Sequence, residues 1–185
     1  MWIRFILALA ALASLPSLVY ANSGGAPIRR TGNPFDTANG GGDCTSCHRT
    51  FAPANSDIRG FARITAINYT PGVRQTIRVQ VFHPEAARWG FQLTARLASD
   101  DGRKAGVITE NASVRVRCEP TGDVICGTDR EFATHRAVST TMGSGGSMVF
   151  AFEWLAPDAG AGDVMLYAAG NAADNSGSNT GDRIY

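Results

Sequence analysis

Beyond its first stretch the chain is dominated by alternation. Ile77, Val79 and Val81 point one way while Thr76, Arg78 and Gln80 point the other, the period-two pattern of a strand with one buried face. Phe91, Leu93, Ala95 and Leu97 repeat it against Gln92, Thr94 and Arg96, and Asp100-Asp101-Gly102 reads as the turn that closes this strand. Phe61 to Ile67 alternates before Tyr69-Thr70-Pro71-Gly72, a turn with Pro and Gly at its centre. Val114 to Cys118 and, more weakly patterned, Ala133 to Thr140 are further β segments. Met148, Phe150, Phe152 and Trp154 line one face of a strand that ends at Ala156-Pro157, and Val164 to Ala169 follows a Gly-rich turn. No segment of similar length carries a 3.6-residue period. Short strands divided by turn signals, with no helices between them, predict an all-β antiparallel sandwich of the immunoglobulin-like kind, with a core made from two inner faces.

The ends of the chain depart from this pattern. Met1 to Arg4 form a short charged n-region, Phe5 to Leu15 an apolar h-region, and Val19-Tyr20-Ala21 a small-residue cleavage site, so residues 1–21 read as a signal peptide. Pro16 and Ser17 interrupt the apolar run short of the ~20 residues a membrane-spanning helix needs. The mature chain is therefore expected in the periplasm or outside the cell and not spanning a membrane. Asn22 to Gly42, with Gly24-Gly25, Pro27, Gly32, Pro34 and Gly40-Gly41-Gly42, predicts a loop-rich, flexible lead-in. The expected organisation is a flexible segment 22–56 followed by a sandwich 57–185. Gly170 to Asp182 reads as a polar loop.

Charge narrows the partners. The chain has 17 basic and 16 acidic residues, and the leader removes only Arg4, which leaves the mature protein neutral and gives no footprint for nucleic acid. Basic residues concentrate between Arg59 and Lys104 and acids after Glu153, an asymmetry able to steer a redox partner but equally that of solvated strand faces.

The chemistry is concentrated in Cys44-Thr45-Ser46-Cys47-His48. In an exported chain, Cys-x-x-Cys-His is the attachment pattern for c-type haem: two thiols form thioethers and the adjacent imidazole ligates iron. The expected cofactor is one covalent haem c, held by Cys44 and Cys47 with His48 as proximal ligand. A thioredoxin-like dithiol would need a βαβ setting, which the all-β pattern lacks. Structural zinc would need two more ligands, for which Cys118 and Cys126 are the candidates. Those two cysteines bracket a turn-rich loop and, in an oxidising compartment, read instead as a disulfide. For the sixth iron position, His135 is the leading candidate, with a purely structural role as its alternative, followed by Met142 and then His83. Met148 reads as core, and His83, before Pro84, as an exposed turn residue. Arg49, next to the motif, reads equally as a partner for a haem propionate or as a solvent-exposed residue.

Several strings in order resemble the Reeler (reelin-like) domain: Gly25-Ala26-Pro27, Tyr69-Thr70-Pro71-Gly72, Gly90-Phe91-Gln92-Leu93-Thr94-Ala95, Thr134-His135, Trp154-Leu155-Ala156-Pro157 and the strand Val164 to Gly170. The resemblance extends to a bacterial exported branch with a CxxCH motif and an ending of the form Ala-Ala-Gly-Asn-Ala-Ala…Gly-Asp-x-Ile-Tyr, matched by residues 168–173 and 181–185. It implies an immunoglobulin-like sandwich, and for animal members a haem-free extracellular binding or adhesion module. It also implies a rival pairing in which Cys118 or Cys126 bonds to Cys44 or Cys47. Many bacterial relatives continue into a surface anchor, whereas this chain stops at Tyr185, which favours a free periplasmic protein.

Two functions follow as expectations. The first is a periplasmic mono-haem electron carrier, which serves a redox protein or membrane electron-transfer complex and is not an enzyme; an open sixth iron position would instead let the haem bind a small gas. No Ser-His-Asp set, phosphate loop or paired-carboxylate pattern is legible. The second is an extracytoplasmic Reeler-like binding or adhesion module with structural haem or none. This β-rich pattern excludes the small helical bundle usual for a soluble mono-haem cytochrome c.

Overall fold

Alternation along the chain becomes two antiparallel sheets packed face to face. The computed structural model describes residues 22–66, 68–119, 126–127 and 130–185. The leader, Ile67 and the loop inside the Cys118–Cys126 interval lie outside the described residues. Ten strands follow in order: β1 Phe61–Thr65, β2 Arg74–Phe82, β3 Arg88–Leu97, β4 Asp100–Lys104, β5 Val107–Thr109, β6 Val114–Glu119, β7 Arg130–His135, β8 Ser147–Leu155, β9 Val164–Ala173 and β10 Arg183–Ile184. One sheet runs β1-β2-β8-β5; the other runs β10-β9-β3-β7-β6, with β4 also paired to β3. The fold is an all-β antiparallel sandwich.

The core is the one the periodicity describes. Ile77, Val79 and Val81 of β2 and Met148, Phe150, Phe152 and Trp154 of β8 face Phe91, Leu93 and Ala95 of β3, all buried. Phe91 stacks on Phe150 with ring centroids 4.4 Å apart, which ties the two sheets together at mid-strand. On the far side of the β2–β8 sheet, Arg78, Val149, Ala151 and Glu153 are exposed, as a one-sided strand pattern requires.

β3 departs from that pattern. Its polar face was expected in solvent, yet Gln92, Thr94 and Arg96 are each 0% exposed. The cover is the N-terminal segment expected to be a flexible lead-in, which lies across the outer face of the β3 sheet. Burial obliges each polar group there to find a partner. Gln92 accepts from the Arg30 N–H at 2.6 Å and donates to the Pro27 carbonyl at 2.7 Å, and Thr134 Oγ1 accepts from the Ala26 N–H at 3.0 Å. Arg96 donates to Asp36 at 2.8 Å in an ion pair with both side chains fully buried. Burial pushes the Asp36 carboxyl up against the lowering pull of Arg96, and pushes the Arg96 guanidinium down to about 10. A short helix α1, Pro34–Ala38, presents Asp36 to this pair; Asn33 caps it by accepting from the Asp36 N–H at 2.9 Å.

Other expectations shift by a few residues. The turn after β3 falls at Ala98–Ser99, and Asp100 to Lys104 is a strand that folds back onto β3. The segment Ala133 to Thr140 ends as a strand at His135 and continues as a 3-10 turn, Ala137–Thr141. Gly170 to Ala173 extends β9 and is not loop.

Cys118 and Cys126 are joined in a disulfide. That bond removes them as zinc ligands and rules out the rival pairing with Cys44 or Cys47, both of which are free thiols. Among the described residues no helix is long and apolar enough to cross a membrane.

Candidate functional site

The Cys44 to His48 motif folds as one tight turn. Cys44–Ser46 is a 3-10 turn capped by Asp43, whose carboxylate accepts from the Thr45 N–H at 2.7 Å. The N–H groups of Cys47 and His48 both donate to the Cys44 carbonyl, at 3.2 and 3.0 Å. Such closure brings two thiols and an imidazole to one small patch of surface. The polar C-terminal loop pins it there: Asn179 donates to the Cys47 carbonyl at 2.7 Å, and the Gly181 N–H donates to Thr50 Oγ1 at 3.0 Å.

This patch forms one wall of a cavity of about 390 Å³ at the end of the covered sheet, where β3 begins and β7 and β9 end. The volume is in the range of small-ligand and cofactor sites. Cys44, Cys47, His48 and His135 all line it, although His135 lies far along the chain at the end of β7. Cys44 is buried and Cys47 exposed. Burial, with Asp43 and Cys47 nearby, pushes the Cys44 thiol up to about 12, so it is held as an unionised thiol.

The two imidazoles are held differently. His48 Nδ1 lies 2.6 Å from Asp182 Oδ2, which leaves Nε2 as the free ring nitrogen. His135 is 8% exposed, and its Nδ1 lies 3.1 Å from the Phe91 N–H and 3.2 Å from the Phe91 carbonyl. That backbone accepts either tautomer: Nδ1 accepts a hydrogen bond from the amide, or donates one to the carbonyl and frees Nε2. Nε2 is 3.4 Å from the Asn22 carbonyl. Burial pushes the His135 imidazole below its ordinary value and keeps it neutral, the form that ligates metal. Gly90 makes room for the ring, since a Cβ there would lie 2.9 Å from His135 Cε1.

The structure separates the other candidates from this cavity. His83, expected as an exposed turn residue, is 0% exposed; it pairs with Asp57 at 3.1 Å and accepts from the Glu85 N–H, away from the cavity wall. Prolines and turns in sequence give no sign of the carboxylate that fixes it. Met142 is 60% exposed and also outside the wall, because the 3-10 turn directs Thr140 inward in its place. Met148 is core, as expected. Arg49 bonds back to the Ser46 carbonyl and does not line the cavity.

Two arginines that the sequence reading passed over do line it: Arg30 and Arg88. The Nε atoms of both, and Asn171 Oδ1, are buried without a hydrogen-bond partner among the described residues. Arg29, Arg115 and Arg117 share this unpartnered Nε off the wall, so what sets Arg30 and Arg88 apart is their place on it, where their guanidinium groups can meet an acceptor. Asp182 is the one carboxylate on the described wall, and it is already engaged by His48. The wall thus offers two thiols, two imidazoles and two guanidinium groups, a donor set that fits a porphyrin carrying two carboxylates.

No protein-family model matches the chain, and no curated protein matches it. Among solved structures, fragment 2 of the human F-spondin reeler domain is similar over 60% of this chain and 76% of its own length, at 22% identity and a TM-score of 0.38. Fragment 1 of the same domain covers 60% and 74%, at 23% identity and 0.37. The Reelin-N domain of F-spondin covers 60% and 70%, also at 23% and 0.37.

Proposed function

We propose that this chain is an exported, periplasmic or secreted, c-type mono-haem protein that transfers electrons. The observation that carries the reading is that Cys44, Cys47, His48 and His135 line a single cavity while the other two cysteines are consumed by each other. In an oxidising compartment, an unpaired Cys-x-x-Cys beside two imidazoles needs another use for its sulfurs. Cys44 and Cys47 would anchor the ring through thioethers, His48 and His135 would ligate the iron, and Arg30 and Arg88 would pair with the propionates. When bound, haem supplies one-electron cycling of iron. The protein's part is to fix both ligands on rigid elements, a tight turn and a strand end, and to shield them from water. A redox protein or membrane electron-transfer complex is the partner.

A second reading is an extracytoplasmic binding or adhesion module with structural haem or none. It draws on the same sandwich, because a loop-rimmed cavity of this size accepts a small ligand without a thioether bond.

Expression with cytochrome c maturation factors separates the two. The haem reading expects a Soret band and a covalent mass gain that survives denaturation, both lost in Cys47→Ser, and a low-spin to high-spin change in His135→Ala. A colourless, folded wild-type chain with free Cys44 and Cys47 supports the binding module instead.

A further inference from the structure

The C-terminal loop does more than pin the motif, and the reason is Asp182. Its carboxylate is 2% exposed and lies 134 residues from His48 in sequence, yet Oδ2 is 2.6 Å from His48 Nδ1. Among the described residues its other hydrogen-bond partners are donors: Asn171 Nδ2 donates to Oδ2 at 3.3 Å and the Asp174 N–H donates to Oδ1 at 3.3 Å. The neighbouring guanidinium, on Arg183, is turned away to Asp57 and Glu85. Among the described residues no arginine or lysine neutralises Asp182, so its charge falls on the His48 ring.

We propose that Asp182 is the positioning residue for His48 and that it sets a low reduction potential at this site. The inference rests on the haem reading above. A carboxylate that accepts from Nδ1–H fixes the tautomer in which Nε2 holds the lone pair, and it raises the basicity of the ring toward a metal. In a poorly hydrated wall a nearby negative charge is weakly screened and favours the more positive of two iron charge states. Ferric iron is therefore stabilised over ferrous. Asn171, whose Nδ2 donates to Asp182 Oδ2, holds the carboxylate in place beside the ring.

The test is the midpoint potential of the haem-loaded full chain in three variants. Asp182→Asn keeps shape and removes charge, and is expected to shift the reduction equilibrium at least tenfold toward ferrous, about 59 mV for one electron. Asp158→Asn removes the same charge from a residue outside the cavity wall and is expected to leave the potential unchanged. Asp182→Glu, which retains the carboxylate, is expected to stay within about threefold of wild type by the same reasoning and keeps the test open if Asp182→Asn does not fold. The oxidised-state electron paramagnetic resonance spectrum should move in Asp182→Asn alone, because it reports the axial imidazole. Equal potentials in wild type and Asp182→Asn, with haem attached to both, overturn this proposal and leave the haem reading standing. A wild-type chain that never acquires haem overturns both.

Discussion

β2 and β3 begin from the same sequence pattern and end in different environments. In β2 the odd positions enter the core while Arg78 on the other face is exposed; in β3 both faces are buried, apolar residues inside and Gln92, Thr94 and Arg96 outside. The open face needs no specific partners because water supplies them. On the covered face Gln92, Thr94 and Arg96 are matched by groups on the N-terminal segment or on β7. The lesson is that the cover is a structural layer, and that it supplies part of the cavity wall through Asn22, Ala26, Pro27 and Arg30.

Substitutions that treat the two faces alike sharpen this contrast. Arg96→Met leaves Asp36 buried without its cation and should cost about 3–5 kcal/mol in chemical denaturation. Loss of the Cys118–Cys126 bond in Cys126→Ser, on the covered sheet, should cost ~2–3 kcal/mol by release of a short loop in the unfolded chain. Gln92→Ala strands the Arg30 N–H and Pro27 carbonyl, and should cost ~1–3 kcal/mol. It should also speed amide hydrogen exchange at Arg30, a change that an unpacked N-terminal segment would not show.

Acid tests the seam between the two sheets. Asp57 accepts from Arg59, from His83 at the end of β2, and from Arg183 on β10. The Arg59 hydrogen bond, foremost, holds the Asp57 carboxyl well below the usual range. The unfolded chain therefore takes up this proton first. The stabilisation is present above about pH 4 and is lost as pH falls toward the lower folded value. A Tm profile against pH should flatten in Asp57→Asn on its acid limb alone. At the other extreme, Arg78→Gln on the open face of β2 should change stability by no more than about 0.5 kcal/mol. A cost there equal to that of Arg96→Met would dissolve the distinction between the faces.

The candidate site was partly legible for a simple reason: its densest chemistry is local. Cys44, Cys47 and His48 lie within five residues, and a tight turn is enough to gather them. His135 was legible only as a histidine in a suggestive string, since nothing local brings the end of β7 to the Cys44 turn. Arg30, Arg88 and Asp182 left no signal. Each is an ordinary charged residue in a loop or at a strand start, and its role depends on what faces it. His83 misled for the same reason: a histidine before proline looks exposed until Asp57 folds against it.

What the chain's own pattern determined, then, is the inner core. Period-two burial is a property of neighbouring residues on one strand, and it decides which side of each sheet is apolar. Only the tertiary structure decided the outer layer, the pairing of sheets and the far wall of the cavity. A glycine- and proline-rich stretch such as 22–42 has no period of its own. It becomes ordered because the polar face of β3 offers it hydrogen bonds and an ion pair that solvent would otherwise supply.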